Sequence, residues 1–225
     1  MKILENLKTL KDENYLDFIA KLVPNISKEN IIGIRKPVIE KFEKSLTQDE
    51  KIKFINTLPH TYLEENLLHG IILSNMKNFE EKLSYFEKFL PHINNWAVCD
   101  MLKLGKPNLN NKDIIYNKCK EWILSKNEYT IRFGVVTFLS YFLDEYFEEE
   151  ILYLISKIDY DTYYVNMAIA WFYSFALIKQ YDKTLPIFEN KLLSKFVHNK
   201  SLQKARESLR LDKNTKDYLN TLKIK

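Results

Sequence analysis

Glycine is scarce in this sequence, and the residue pairs that make tight hairpin turns are missing. Only four glycines occur in 225 residues, and none of them follows an asparagine or an aspartate. Because Asn-Gly and Asp-Gly are the strongest short-range signals of a β-hairpin, their absence argues against a fold built from hairpins.

Cysteine is rare as well, and long apolar runs are missing. The two cysteines, Cys99 and Cys119, exclude a disulfide framework, so a reducing cytoplasm is the expected compartment. No stretch approaches eighteen uninterrupted apolar residues, and we therefore expect no membrane span. Residues 1–22 form an amphipathic pattern that predicts one helix and lacks the apolar block of a secretory signal.

Arginine occurs four times against thirty lysines, and the net charge of +4 is unevenly distributed. Residues 200–225 contain eight basic and three acidic residues, a balance of +5, which leaves −1 for residues 1–199. A basic end can bind a polyanion such as nucleic acid, although a solvated lysine surface gives the same pattern. The excess of lysine favours contacts with phosphates over the reading of base edges.

What the sequence does contain is a succession of helix signals. Thr47, Thr61 and Asn78 each precede a glutamate by three positions, which is the pattern of a capping box. Apolar residues then follow at spacings of three and four, so each helix is predicted to bury one face. Further helices are predicted over 111–125, 128–143, 147–157, 161–178, 182–195, 200–210 and 213–222.

Roughly a dozen helices with short connections predict an all-α fold. We predict a single domain over residues 1–225, an α-solenoid of HEAT-like or armadillo-like helical repeats, in which each helical pair relies on its neighbours for a core. No clean sequence period is present, so the repeats would be degenerate. A compact irregular bundle is the alternative.

One carboxylate, Asp100, stands inside the apolar run NNWAVCDML (94–102). An asparagine cap and Gly105 predict a helix from about 95 to 104, with Asp100 at its centre and Trp96 one turn earlier on the same face. A carboxylate in apolar surroundings is costly unless it is paired or used. Lys103, three positions on, is the candidate structural partner.

Two other segments carry candidate functional residues. A stripe at spacings of three and four contains Tyr160, Tyr164, Met167, Trp171 and Phe175. Such a stripe is usually core, but it can also be a platform for a sugar, a base or a cation. Arg132 lies on an otherwise apolar helix, so its guanidinium must reach solvent, a phosphate or a carboxylate. The candidate carboxylates are Asp100, Asp144 and Glu145.

No metal site is predicted. Glu65 and His69 lie four residues apart, but no third ligand stands at a usable spacing, and a capped helix explains both. His60, His92 and His198 lie beside predicted turns, and we interpret them as surface residues.

Six segments, in their order and spacing, resemble the bacterial DNA alkylation repair family, whose AlkD-like members are built from HEAT-like repeats. The segments are GIRKP (33–37), LEENLLHGIIL (63–73), NWAVCD (95–100), YTIRFGVV (129–136), YYVNMAIAW (163–171) and LQKARESLR (202–210). The resemblance covers about residues 30–210.

The resemblance implies a monofunctional DNA glycosylase that releases cationic alkylated purines, such as 3-methyladenine and 7-methylguanine, from duplex DNA. The family's tryptophan and the aspartate four residues later fall on Trp96 and Asp100, its later tryptophan on Trp171 and its arginine on Arg132. The expected partner is double-stranded DNA with alkylated bases, bound by a monomer without a metal or cofactor. We predict further DNA contacts at two residues of the last segment, Lys204 and Arg206.

These residue types suit that chemistry. Positive charge develops on the sugar as the glycosidic bond breaks, and an ionised Asp100 would stabilise it. The alternative is a non-catalytic HEAT-like repeat binding module of the same superfamily, which would pack Trp96 and Trp171 in the core and neutralise Asp100 with Arg132 or Lys103. It is motivated by Ser174, by the low net charge and by the acidic run DEYFEEE (144–150).

Overall fold

The computed structural model describes residues 2–225, and throughout this range the fold is helical. These residues form fourteen α-helices and two short 3₁₀ turns, with no strand among them. The all-α prediction is therefore confirmed. Between residues 2 and 225, no helix combines the length and the apolar character needed to cross a membrane.

The helices divide into two compact units, Met1–Gly105 and Lys106–Lys225. That the whole chain forms a single domain remains a prediction. The first unit contains α1 (Lys2–Lys8), α2 (Glu13–Leu22), α3 (Lys36–Ser45), α4 (Gln48–Ile55), α5 (Leu63–Asn75), α6 (Phe79–Phe89) and α7 (Trp96–Met101). The second unit contains α8 (Lys112–Trp122), α9 (Glu128–Tyr141), α10 (Glu150–Ser156), α11 (Tyr163–Lys179), α12 (Tyr181–Glu189), α13 (Lys195–Glu207) and α14 (Lys213–Thr221).

Within each unit, helices that are two apart in the chain pack together. In the first unit α5 packs against both α3 and α7, and in the second α11 packs against both α9 and α13. Stacked helical hairpins produce this pattern, because corresponding helices of successive hairpins form one layer. The packing agrees with the predicted solenoid, and the repeats themselves stay a prediction.

The helix predicted at the start of the chain and the one predicted over 182–195 are shorter in the structure, for local reasons. The prediction of a single helix over residues 1–22 is wrong, because Asp12 caps a new helix by accepting a hydrogen bond from the Tyr15 N–H at 3.1 Å. Residue 1 of the predicted helix lies outside the described range. Helix α12 ends at Glu189 instead of residue 195. Lys191 takes a left-handed conformation there, with φ of 52°, which stops the helix without a glycine.

The start of α5 corrects one predicted capping box. Thr47 and Asn78 cap α4 and α6 as predicted. At α5, however, the Glu65 carboxylate accepts hydrogen bonds from the N–H groups of Thr61 and Tyr62, at 3.3 and 3.0 Å. The box predicted from Thr61 to Glu64 is therefore wrong by one residue, and Glu64 is free for another role.

Glu64 binds the loop before α3 through three backbone hydrogen bonds. Its side chain is fully buried, and its carboxylate accepts from the N–H groups of Ile32, Gly33 and Ile34 at 2.8, 2.7 and 3.1 Å. Gly33 has φ of 91°, and a Cβ there would lie 2.6 Å from the Leu16 Cβ, so only glycine fits. Two of the segments that carry the family resemblance, 33–37 and 63–73, are thus joined directly.

Candidate active site

Helix α7, which carries Trp96 and Asp100, is a single capped segment of six residues. The Asn95 side chain accepts a hydrogen bond from the Val98 N–H at 3.0 Å, which confirms the predicted cap. The helix ends at Met101 because the next residue, Leu102, is extended. Asp100 therefore lies in the last turn, not at the centre of a helix over 95–104 as predicted. A negative charge at a helix C-terminus interacts slightly unfavourably with the helix dipole.

The indole ring of Trp96 is fixed in place at the edge of the first unit. Its Nε1–H donates to the Leu22 carbonyl oxygen at 2.8 Å, and the Asn25 side-chain amide donates to the Asn94 carbonyl oxygen. These two bonds hold the end of α2 against the start of α7. Trp96 remains partly exposed, so part of its ring is available to a ligand.

Asp100 is partly exposed, whereas the two residues before it are fully buried. Val98 and Cys99 have no accessible surface, so α7 buries one side and keeps the side of Trp96 and Asp100 at the surface. The nearby Lys103 is exposed, and its backbone N–H donates to the Ser74 Oγ at 3.1 Å. Partial exposure lowers the cost of keeping the Asp100 carboxylate charged at this position.

Helix α5 supports α7 from beneath. A Cβ at Gly70 would lie 2.7 Å from the Leu102 side chain, so the glycine permits the close approach of the two helices. Buried Lys82 donates from Nζ to the carbonyl oxygens of Ser74 and Leu104, at 2.9 and 3.4 Å. Its burial lowers the pKa of this ammonium group. Lys82 thus ties the end of α5 to the segment that follows α7.

Arg132, in the second unit, links α9 to α11. Its side chain is only 7% exposed, and its Nη1 donates to the Tyr164 carbonyl oxygen at 2.6 Å. The Tyr129 and Tyr164 rings also pack together, with centroids 5.8 Å apart. Asp144, which was one candidate partner, instead pairs with Lys179 at 2.5 Å. Arg132 therefore positions the start of the helix that carries Trp171.

The predicted aromatic stripe lies on the less buried side of α11. Four of its predicted members, Tyr164, Met167, Trp171 and Phe175, lie on α11 and are partly exposed, whereas Tyr160, also partly exposed, precedes the helix. The Trp171 and Phe175 rings meet edge to face, with centroids 6.2 Å apart. The opposite side of α11 supplies the core with fully buried residues such as Tyr173 and Ala176. The stripe is therefore a partly accessible aromatic surface.

The two predicted DNA contacts of the basic end, Lys204 and Arg206, are partly exposed residues of α13 in the second unit. Trp96 and Asp100 thus belong to the first unit, and Trp171, Arg132, Lys204 and Arg206 belong to the second.

The acidic run 144–150 is largely neutralised within its own unit. Three of its carboxylates pair with lysines: Asp144 with Lys179, Glu149 with Lys183 and Glu150 with Lys120, at 2.5, 2.8 and 3.3 Å. The repulsion of DNA expected from this run is therefore reduced.

The histidines are more buried than expected. His198 is fully buried, and His60 is half-buried with a ring nitrogen 2.8 Å from that of His69. His69 stacks on Phe89 at 4.0 Å. Interpreting His60 and His198 as surface residues was wrong. In the range 2–225, no three His, Cys, Asp or Glu side chains lie close enough together to hold a metal ion.

This histidine pair predicts a loss of stability in mild acid. Burial lowers the pKa of His60 to about 4 and of His69 to about 2, so the folded chain keeps both neutral where the unfolded chain is protonated. The free energy of unfolding should be constant above about pH 6.5 and fall towards pH 4, by up to about 1.4 kcal/mol per pH unit for each histidine. Urea titrations at several pH values measure this slope. His60→Gln should reduce this slope, and an equal slope in the two proteins would contradict the assignment.

Comparison with protein-family models supports the family resemblance. A model of the family described as DNA alkylation repair enzyme matches residues 3–210, which is most of the chain. Among curated proteins, none matches. The matched range includes every residue assigned above to the site, from Trp96 on α7 to Arg206 on α13. On this match, the chain belongs to the DNA alkylation repair enzyme family.

Proposed function

We propose that this protein is a monofunctional DNA glycosylase that releases cationic alkylated purines, such as 7-methylguanine and 3-methyladenine, from duplex DNA. The observation that carries the proposal is the pair on α7. Trp96 is held by its bond to Leu22, and Asp100, one turn away on the same helix, is also partly exposed, so an indole ring and a carboxylate are presented side by side. Membership of a DNA alkylation repair family makes damaged DNA the natural substrate.

The proposed reaction replaces the bond between the purine nitrogen and C1′ of deoxyribose by a bond from C1′ to water. The alkylated purine carries a positive charge, so it leaves as a neutral base without being protonated first. Positive charge moves to the sugar as the bond breaks, and the Asp100 carboxylate stabilises it. Water then adds to C1′ and loses one proton, which the carboxylate can accept before solvent does. The products are free base, an abasic site and one proton.

The tryptophans contribute through the faces of their rings. A fixed indole beside a developing cation gives cation–π stabilisation of about 1 kcal/mol when it is partly desolvated. Trp96 suits this role because its N–H is already bonded to Leu22, which leaves the ring face for the substrate. The family resemblance gives Trp171 the same role, and its partial exposure on α11 supports a contact with DNA.

Arg132 enters the proposal chiefly as a positioning residue. Its guanidinium holds the Tyr164 carbonyl oxygen and so orients the helix that carries Trp171. The family resemblance also gives this arginine a contact with a DNA phosphate. Lys204 and Arg206 are the proposed backbone contacts, since lysine-rich surfaces bind phosphates without reading sequence.

The binding-module alternative predicts that both tryptophans are packed in the core. That packing is not found, because Trp96 and Trp171 are both partly exposed. The enzyme is therefore the better supported of the two functions.

The proposal is tested by measuring base release from methylated duplex DNA at low salt, where phosphate contacts are strongest. We expect the protein to release 7-methylguanine. We expect no release of uracil from a duplex of the same sequence that contains uracil, because a neutral base is a much poorer leaving group. Folded protein that released no methylated base would reject the glycosylase. Equal release of uracil would reject a mechanism that depends on a cationic leaving group.

A further inference from the structure

The C-terminal tail of the second unit is held along α13 by two side chains. The Asn199 amide donates to the Ile224 carbonyl oxygen at 2.9 Å and accepts from the Ile224 N–H at 3.0 Å. A ring nitrogen of His198 lies 2.9 Å from the Leu222 carbonyl oxygen. Asn199 thus satisfies both backbone groups of one residue, as a neighbouring strand would. Lys223 lies between these two anchored residues and is fixed with them.

An open groove of about 750 Å³ lies between this tail and the exposed side of α13. Six residues line it: Lys195, Phe196, Asn199, Lys200, Gln203 and Lys223. Three of the six are lysines and none is acidic. Phe196 is 46% exposed, so an apolar ring stands open to solvent among positive charges.

The lysines of this groove are not neutralised by the protein. Among the described residues 2–225, the last basic side chain that forms an ion pair is Lys183, which precedes α13. Elsewhere in the second unit lysines pair with acidic residues, as Lys120 does with Glu150. A preformed groove with uncompensated charge is complementary to a polyanion.

We propose that this groove binds unpaired DNA, with phosphates on the three lysines and one base stacked on Phe196. Lysine is a point charge that suits phosphodiesters, and an aromatic face accepts any base without sequence preference. Gln203 helps to hold one of these lysines in place, since its side-chain oxygen accepts from Lys200 Nζ at 3.2 Å. An acidic peptide would satisfy the lysines but would leave Phe196 without a planar partner. The choice of DNA as the polyanion rests on the proposed function, whereas the groove does not use Asp100.

The experiment measures binding of a labelled short oligothymidylate to the full chain by fluorescence anisotropy, beside a blunt duplex. Phe196→Ala should weaken oligothymidylate binding about 5- to 100-fold, and Phe196→Trp should retain it. Lys200→Glu with Lys223→Glu should weaken binding and flatten its salt dependence. Lys213→Glu with Lys216→Glu makes the same charge change on α14, outside the groove, and should have a smaller effect.

Three results would overturn the inference: wild-type affinity in Phe196→Ala, equal weakening of oligothymidylate and blunt duplex, or competition by polyglutamate as strong as that by unlabelled oligothymidylate. The glycosylase proposal is judged separately by base release from blunt duplex. Loss of oligothymidylate binding in Phe196→Ala with no base release by the wild type would support the groove and reject the enzyme. Wild-type oligothymidylate binding in Phe196→Ala, together with base release by the wild type, would reject the groove and leave the glycosylase proposal intact.

Discussion

Asp100→Asn is expected to slow the release of 7-methylguanine by at least about 100-fold, while leaving the fold unchanged. Asparagine has almost the same shape as aspartate, but it carries no charge to stabilise the developing sugar cation. It also cannot accept the proton that water loses. Asparagine also keeps the size and most of the hydrogen-bonding capacity of the side chain at this partly exposed position in the last turn of α7, so we expect the variant to stay folded. The measurement is single-turnover base release at low salt, with thermal unfolding of the same samples.

Asp49→Asn is the matched control for this substitution. Asp49 is an exposed aspartate in the first turn of α4 of the same unit, so its change alters charge equally and touches no site residue. We expect wild-type base release from this control. The contrary result is that Asp100→Asn releases base at the wild-type rate while its free energy of unfolding falls by several kcal/mol. In that case Asp100 would be a structural residue and the proposed mechanism would fail.

Glu64→Gln is expected to lower the free energy of unfolding by about 2–4 kcal/mol. The Glu64 carboxylate accepts three backbone N–H groups in a fully buried site, and a carboxamide has only one acceptor oxygen. Its NH₂ group would face an N–H donor of the 32–34 loop, which leaves buried polar groups unpaired. Urea unfolding followed by far-UV circular dichroism measures the change.

Glu80→Gln is the control, since Glu80 is also the second residue of its helix. Both glutamates interact equally with the helix dipole, but Glu80 is exposed. We expect Glu80→Gln to lower the free energy of unfolding by less than about 1 kcal/mol. Equal, small losses in the two variants would show that the three hydrogen bonds of Glu64 do not stabilise the fold.

Glu64 also shows where interpretation of the sequence reaches its limit. Local spacing predicted helices and most of their caps, as at Thr47 and Asn78, because a cap is made by residues three positions apart. The same spacing assigned Glu64 to a cap with Thr61. The loop that Glu64 actually binds lies about thirty residues away, and nothing in local spacing encodes that distance.

The candidate site follows the same division. The one-turn spacing of Trp96 and Asp100 is a property of any helix, so it could be predicted. Their partial exposure could not, since it depends on how α2 and α5 pack around α7. Phe196 and Asn199 escaped prediction for a related reason. Their role depends on a tail that returns from residues 222–225, and the only sequence signal was the excess of basic residues after residue 200.

By itself, the sequence determined the helical class, the positions of most helices and the order of the six family segments, because these depend on residues a few positions apart. Tertiary structure alone decided that Glu64 holds a loop, that Arg132 holds the Tyr164 carbonyl oxygen, and that the stripe of Trp171 stays at the surface. Burial and long-range hydrogen bonds are set by the packing of whole helices. A side chain acquires its role only when residues distant in the chain are brought against it.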